Sequence, residues 1–158
     1  MDLVRLVYHS RIQLDGELRP PADQITDILT VSAENNQRDG VTGGLIHDAK
    51  WFVQIVEGTE GEVSRTFERI LCDPRHSDIA LVKMQPTPTR RFGQWWMAGA
   101  SWGAANAHLF HRFCEEATFD PHVMSSDHLV ELVDAVLRHA AQGQPRAGWM
   151  HRCITRAA

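Results

Sequence analysis

The run Phe52-Val53-Gln54-Ile55-Val56-Glu57-Gly58 constrains this chain most. β-Branched and aromatic residues alternate over two faces and a glycine closes the run, which predicts a β-strand. Side chains i and i+2 of a strand share a face, so Gln54 lies between Phe52 and Val56. An amide among apolar neighbours needs hydrogen-bond partners; leaving it unpaired costs roughly 1–3 kcal/mol. The organising question is what Gln54 is bonded to.

The flanking sequence supplies a fold. Residues 3–8 alternate and predict a first strand, with Val4, Leu6 and Tyr8 on one face. Tyr8 thus brings a phenol to an apolar face. Residues 9–20 are polar and predict a loop. Pro20-Pro21 can open a helix over about 22–35, with Ile25, Ile28, Leu29 and Ser32 at helical spacing. It should end at Asn35-Asn36, before the Asp39-Gly40 turn. Residues 41–46 and 51–57 form a strand pair around a hairpin at 47–50. Thr59 caps a second helix whose stripe is Val63, Phe67, Ile70 and Leu71, ended by Asp73-Pro74. Residues 79–84 predict a fourth strand, 85–93 a loop and 95–102 a fifth strand.

The order βαββαβ plus one strand predicts an α/β (α+β) architecture: a ferredoxin-like sandwich, a five-stranded mixed sheet with two helices on one face. Its first and third strands are central neighbours, about 4.8 Å apart. Phenol and amide could then meet on the sheet floor beneath the helices. Beyond residue 103, His108, Phe110, Phe113 and Cys114 suggest a short helix, broken by Pro121. Ser125-Ser126-Asp127 then caps a helix running to about residue 141, with a tail over 144–158. The expected division is 1–103 and a helical extension, 104–158, on the other side of the sheet.

Bulk properties narrow the function. The length of 158 residues fits one domain with a small appendage, and the net charge of −4 leaves no nucleic-acid footprint. No apolar run approaches the roughly 18–20 residues of a membrane span. Three cysteines without C-x-x-C, and an N-terminus unlike a signal peptide, predict reduced thiols and a cytoplasmic protein. His108 and His111 could share a helix face as metal ligands, but no cysteine or carboxylate set completes a site, so no metal is expected.

Five motifs in one order resemble the BLUF family, the blue-light photoreceptor modules that hold a flavin. They are Leu6-Val7-Tyr8-His9-Ser10; Asn35 to Gly43, similar from Asn36 onward to N-x-x-x-G-[IV]-T-G; Phe52 to Gly58, similar to F-x-Q-x-L-E-G; Asp73-Pro74-Arg75-His76; and Arg91 to Met97, similar from Phe92 onward to F-x-x-W-S-M. The resemblance covers about residues 1–103 and implies the same ferredoxin-like fold. It implies that Tyr8 reduces the excited flavin by electron and proton transfer, and that Gln54 links Tyr8 to the ring. It implies that Asn36 bonds the ring edge, that Ile28 and Ile70 sandwich the ring, and that Arg69 and Asp73 lie near the ribityl and phosphate end. Trp95 and Met97 match a pair whose rearrangement carries the signal. The implied cofactor is FAD, with FMN and riboflavin as open alternatives. The implied partners are a separate signalling protein, bound non-covalently, and further copies of the chain.

One departure stands out: Trp96 occupies the usual serine position. Strand alternation would put Trp95 and Met97 on one face and Trp96 on the other, toward the extension or a partner.

Each residue alone also has a plain reading. Gln54 could satisfy backbone groups, Tyr8 could be a core tyrosine, and Asn36 could be a helix C-cap in the left-handed region. Met97 could fill a core gap, and Arg69 and Asp73 could be an i, i+4 ion pair. The joint pattern favours the flavin photoreceptor, not an enzyme, with output through the fifth strand and the C-terminal helices. A small flavin redox enzyme would need a second substrate pocket beside the ring. A flavin-free interaction module would not need Tyr8, Asn36 and Gln54 together.

Overall fold

The structure, a computed structural model, describes residues 2–102, 107–113 and 119–142. In chain order the elements are β1 (Leu3–Ile12), α1 (Pro21–Asp39), β2 (Thr42–His47), β3 (Trp51–Thr59), α2 (Glu60–Leu71), β4 (His76–Pro86) and β5 (Ala98–Ser101). After these come α3 (Ala107–Phe113), a 3-10 turn (Pro121–Val123) and α4 (Ser126–Gln142). Expectations for Cys114, Cys153, His151 and the tail lie outside the described residues, as does the His111 side chain.

The sheet order is β4-β1-β3-β2-β5. Neighbours are antiparallel except β2 and β5, which are parallel. This is the expected five-stranded mixed sheet, with β1 and β3 side by side at its centre. Val4, Leu6, Tyr8, Phe52 and Val56 face α1 and α2. Val7, Ile46, Val53 and Ile55 face the other way, where Leu129, Leu132, Val133 and Val136 of α4 cover them. The expected placement of the C-terminal helix behind the sheet is therefore observed.

Several boundaries differ from expectation. β1 does not stop at Tyr8: His9, Ser10 and Arg11 pair with Val53, Phe52 and Trp51. These polar residues read as loop, yet two flanking strands satisfy their backbone, and His9 and Ser10 are buried. α1 continues to Asp39 because Gly40, at φ 67°, supplies the left-handed residue that ends it. Asn36 is thus inside the last turn and is not the cap. β5 begins only at Ala98, so Trp95, Trp96 and Met97 precede the strand.

Candidate functional site

The central pairing brings Tyr8 directly opposite Gln54. The Tyr8 hydroxyl donates to Gln54 Oε1. Tyr8 is fully buried, and burial pushes its phenol pKa up, with the Asp73 charge adding to the shift. It therefore remains a neutral O–H donor at ordinary pH. At the other end of the amide, Gln54 Nε2 donates to the Met97 thioether sulfur at 3.7 Å. A thioether is a weak acceptor, and a primary amide has two N–H donors. A buried glutamine with one good partner and one weak one fits a further acceptor in front of it.

That space is a cleft of about 230 Å³ between α1 and α2. Gln54 forms its floor; Ile28 and Val31 of α1 and Ile70 of α2 supply apolar wall. Ser32, Asn35, Asn36, Thr66, Arg69, Asp73, Arg75 and His76 complete it. Such a volume is below the roughly 300–1,000 Å³ of a typical ligand pocket, so it suits one planar group better than a whole dinucleotide. Asn36 Nδ2 donates to the Trp96 carbonyl at 2.7 Å, which ties α1 to the segment bearing Met97.

Six expected cofactor residues, Ile28, Asn36, Gln54, Arg69, Ile70 and Asp73, line this cleft. Tyr8 stands behind Gln54. The plain reading of Arg69 and Asp73 as an ion pair is not realised. Arg69 bonds Asp39 at 2.8 Å, and Arg75 bonds Asp73 at 2.6 Å. Burial draws the Asp73 carboxyl upward, but bonds from the Arg75 guanidinium and backbone hold it below the usual carboxylate range.

The expected face of Trp95 is wrong. Met97 packs with Tyr8 on the α1/α2 side, whereas Trp95 packs beside Phe92 in the α4-side core. Trp96 is also corrected: it packs on the α1/α2 side, not toward the back of the sheet. Strand alternation was the wrong rule, because residues 95–97 are not in β5.

Sequence reasoning missed Ser32, Asn35, Thr66, Arg75 and His76 as cleft residues. A signal existed for some. Ser32, Asn35 and Asn36 follow Ile28 at helical spacing, as Thr66 precedes Arg69 and Ile70. His76 bonds Ser10 Oγ through Nδ1 at 2.8 Å and stacks near Phe52. Of the His108 and His111 pair considered for metal, His108 meets the ring of His139 of α4 edge-on, ring centroids 4.8 Å apart.

A family model described as BLUF, sensors of blue-light using FAD, matches residues 3–98. The blue light- and temperature-regulated antirepressor BluF of Escherichia coli (strain K12) is 33% identical over 92 residues, 58% of this chain and 22% of that protein. Photoactivated adenylate cyclase subunit beta of Euglena gracilis is 28% identical over 107 residues, 68% of this chain and 12% of that protein. The match thus spans less than a quarter of these relatives' length. Among solved structures, BlsA in its photo-activated state superposes with a TM-score of 0.75 at 27% identity, covering 85% of this chain and 94% of that one. BlrB, a BLUF protein in its dark state, gives 0.69 at 28% identity, covering 89% and 97%.

Proposed function

Because this chain belongs to the BLUF family of blue-light sensors, we propose that its cleft grips the ring of an FAD and that Tyr8 and Gln54 exchange hydrogen bonds in response to light. The observation that carries this reading is the buried Tyr8–Gln54 bond, with Met97 sulfur the one acceptor at the amide's other end among the described residues. Ile28 and Ile70 would flank the ring, and Asn36 and Gln54 would address its polar edge. Arg69 and Asp73, at the charged side of the cleft, would meet the ribityl and phosphate chain.

When bound, the flavin supplies absorption of blue light and an excited state that takes up an electron and a proton. Tyr8 would give up one electron together with its phenolic proton, the proton leaving along the bond to Gln54 Oε1, and would later take both back, so no net redox change remains. What persists is Gln54 with donor and acceptor ends rearranged. In a site of low dielectric such hydrogen-bond isomers differ in energy. The rearrangement changes what Nε2 offers Met97, and the segment before β5 answers. The output is a population shift read by a separate protein or by further copies of the chain, not a reaction catalysed here. The relatives, an antirepressor and a cyclase subunit, support a sensor whose output lies in other elements.

Absorption spectroscopy tests the reading. Purified protein should be yellow, and blue light should shift its flavin bands to the red, reversibly in the dark. Gln54→Leu should keep the colour and lose the shift; a normal shift in that variant would refute the assignment. Tyr8→Phe should likewise keep flavin and lose the shift.

A further inference from the structure

Residues 87–97 link β4 to β5, and this link is fastened in several directions. Glu57 of β3 is a fully buried carboxylate. It accepts from Arg5 Nε at 2.6 Å, from the Arg91 backbone N–H at 3.1 Å and from the Phe92 backbone N–H at 2.9 Å. Arg90 reaches toward α1 and donates to the Gly40 carbonyl at 2.7 Å. Arg91 reaches the opposite way. Its guanidinium bonds Glu131 of α4 through Nη1 at 2.6 Å and Nη2 at 2.9 Å. It also bonds Asp134 Oδ2 through Nε at 3.0 Å and Nη2 at 2.9 Å. Asp134 is nearly buried, and its other oxygen accepts from Arg138 Nε at 2.8 Å.

Lone surface ion pairs hold little. This one is forked, engages two carboxylates, and is anchored at its backbone by a third that is buried. A planar guanidinium held at both ends gives orientation that a lysine could not. Four residues further on lies Trp95, and six further on lies Met97, the group in contact with Gln54. Phe92, fully buried, packs in the same cluster as Trp95 and α4. The backbone that must follow Met97 therefore shares one side chain with α4.

We propose that Arg91 is the positioning residue that passes the state of the Gln54–Met97 contact to α4, through the linkage from Glu57 to Glu131 and Asp134. The inference rests on the photoreceptor reading above and names its route of output. It makes Arg91 a two-ended strut. When the 92–97 segment shifts, the guanidinium moves with it, and the first turns of α4 move or loosen in response.

The test is hydrogen exchange on the full chain in light and in dark, read beside the absorption shift. Wild type should show the red shift and a light-minus-dark difference in α4. Arg91→Met keeps the aliphatic stem and removes the fork; it should keep the red shift and lose most of the α4 difference. Glu131→Gln with Asp134→Asn removes the acceptors instead and should behave alike, so the test stands even where Arg91→Met fails to fold. A merely structural clamp would change α4 exchange equally in light and dark and leave the difference intact; that result overturns the proposal. A wild-type red shift without any α4 difference also overturns it, while leaving the photoreceptor reading in place. Absence of the red shift itself in wild type removes both.

Discussion

At the scale of single residues, His76 ties the cleft to the Tyr8–Gln54 pair. Its ring lies 6.2 Å from that of Tyr8 and 4.8 Å from that of Phe52. Burial lowers its pKa from 6.5 to about 4. The unfolded chain therefore binds a proton below about pH 6.5 that the folded chain refuses until about pH 4. Stability is complete above that window and falls as pH drops through it, by up to roughly 3 kcal/mol. Burial lowers His9 and His47 as well, which acts in the same direction. The urea midpoint of wild type should fall between pH 7 and pH 4.5, and that of His76→Gln should fall less. Equal falls would remove His76 from the account. His76 was legible only as part of a motif, since its partner Ser10 sat in a stretch that read as loop. Tyr8 and Gln54 were legible because two independent rules, alternation and central strand pairing, put them together. Trp95 was not, because alternation applies only where a strand exists.

At the scale of elements, β2 shows how closely the sheet is fitted. A Cβ on Gly43 would lie 2.3 Å from the Ile55 carbonyl oxygen, a backbone atom of β3 that cannot step aside. A Cβ on Gly44 would meet Leu137 Cδ1 at 2.4 Å, the end of a flexible side chain on α4. Gly43→Ala should therefore cost about 1–3 kcal/mol, or roughly 3–10 °C in Tm. Gly44→Ala should cost less, because Leu137 can change rotamer. Calorimetry on the two variants checks the order, and a larger loss for Gly44→Ala would contradict it. Strand and helix identities were readable from periodicity in the sequence, but their ends were not. β1 runs on through polar residues because pairing on both sides satisfies them, and α1 runs on because Gly40, not Asn36, supplies the stop. Both endings depend on neighbours distant in sequence.

At the scale of the whole molecule, the C-terminal region behaves as a layer of the fold. α4 buries Leu129, Val130, Leu132, Val133, Val136 and Leu137. The 3-10 turn before it seats His122 against His9 and Trp51, with ring centroids 4.5 and 4.9 Å apart. Full burial of an aliphatic side chain contributes about 1.5–3 kcal/mol, so the six together contribute on the order of 10 kcal/mol. That matches the whole stability of an ordinary domain, about 5–15 kcal/mol. A chain shortened to residues 1–102 would keep every cleft residue and Tyr8, yet expose Val7, Ile46, Val53, Ile55, Phe92 and Trp95 to water. Such an apolar face invites association. The shortened chain should bind a hydrophobic dye, associate in sedimentation experiments and melt well below the full chain. Leu132→Asp in the full chain asks the same question with one buried charge and should give the same signs. A monomeric 1–102 chain with the melting temperature of the full protein would show that the sheet does not need α4. The extension would then be an output element laid on a finished domain. If the shortened chain fails as expected, any movement of α4 in light is a movement within the core, and the sensor spends part of its own stability to signal.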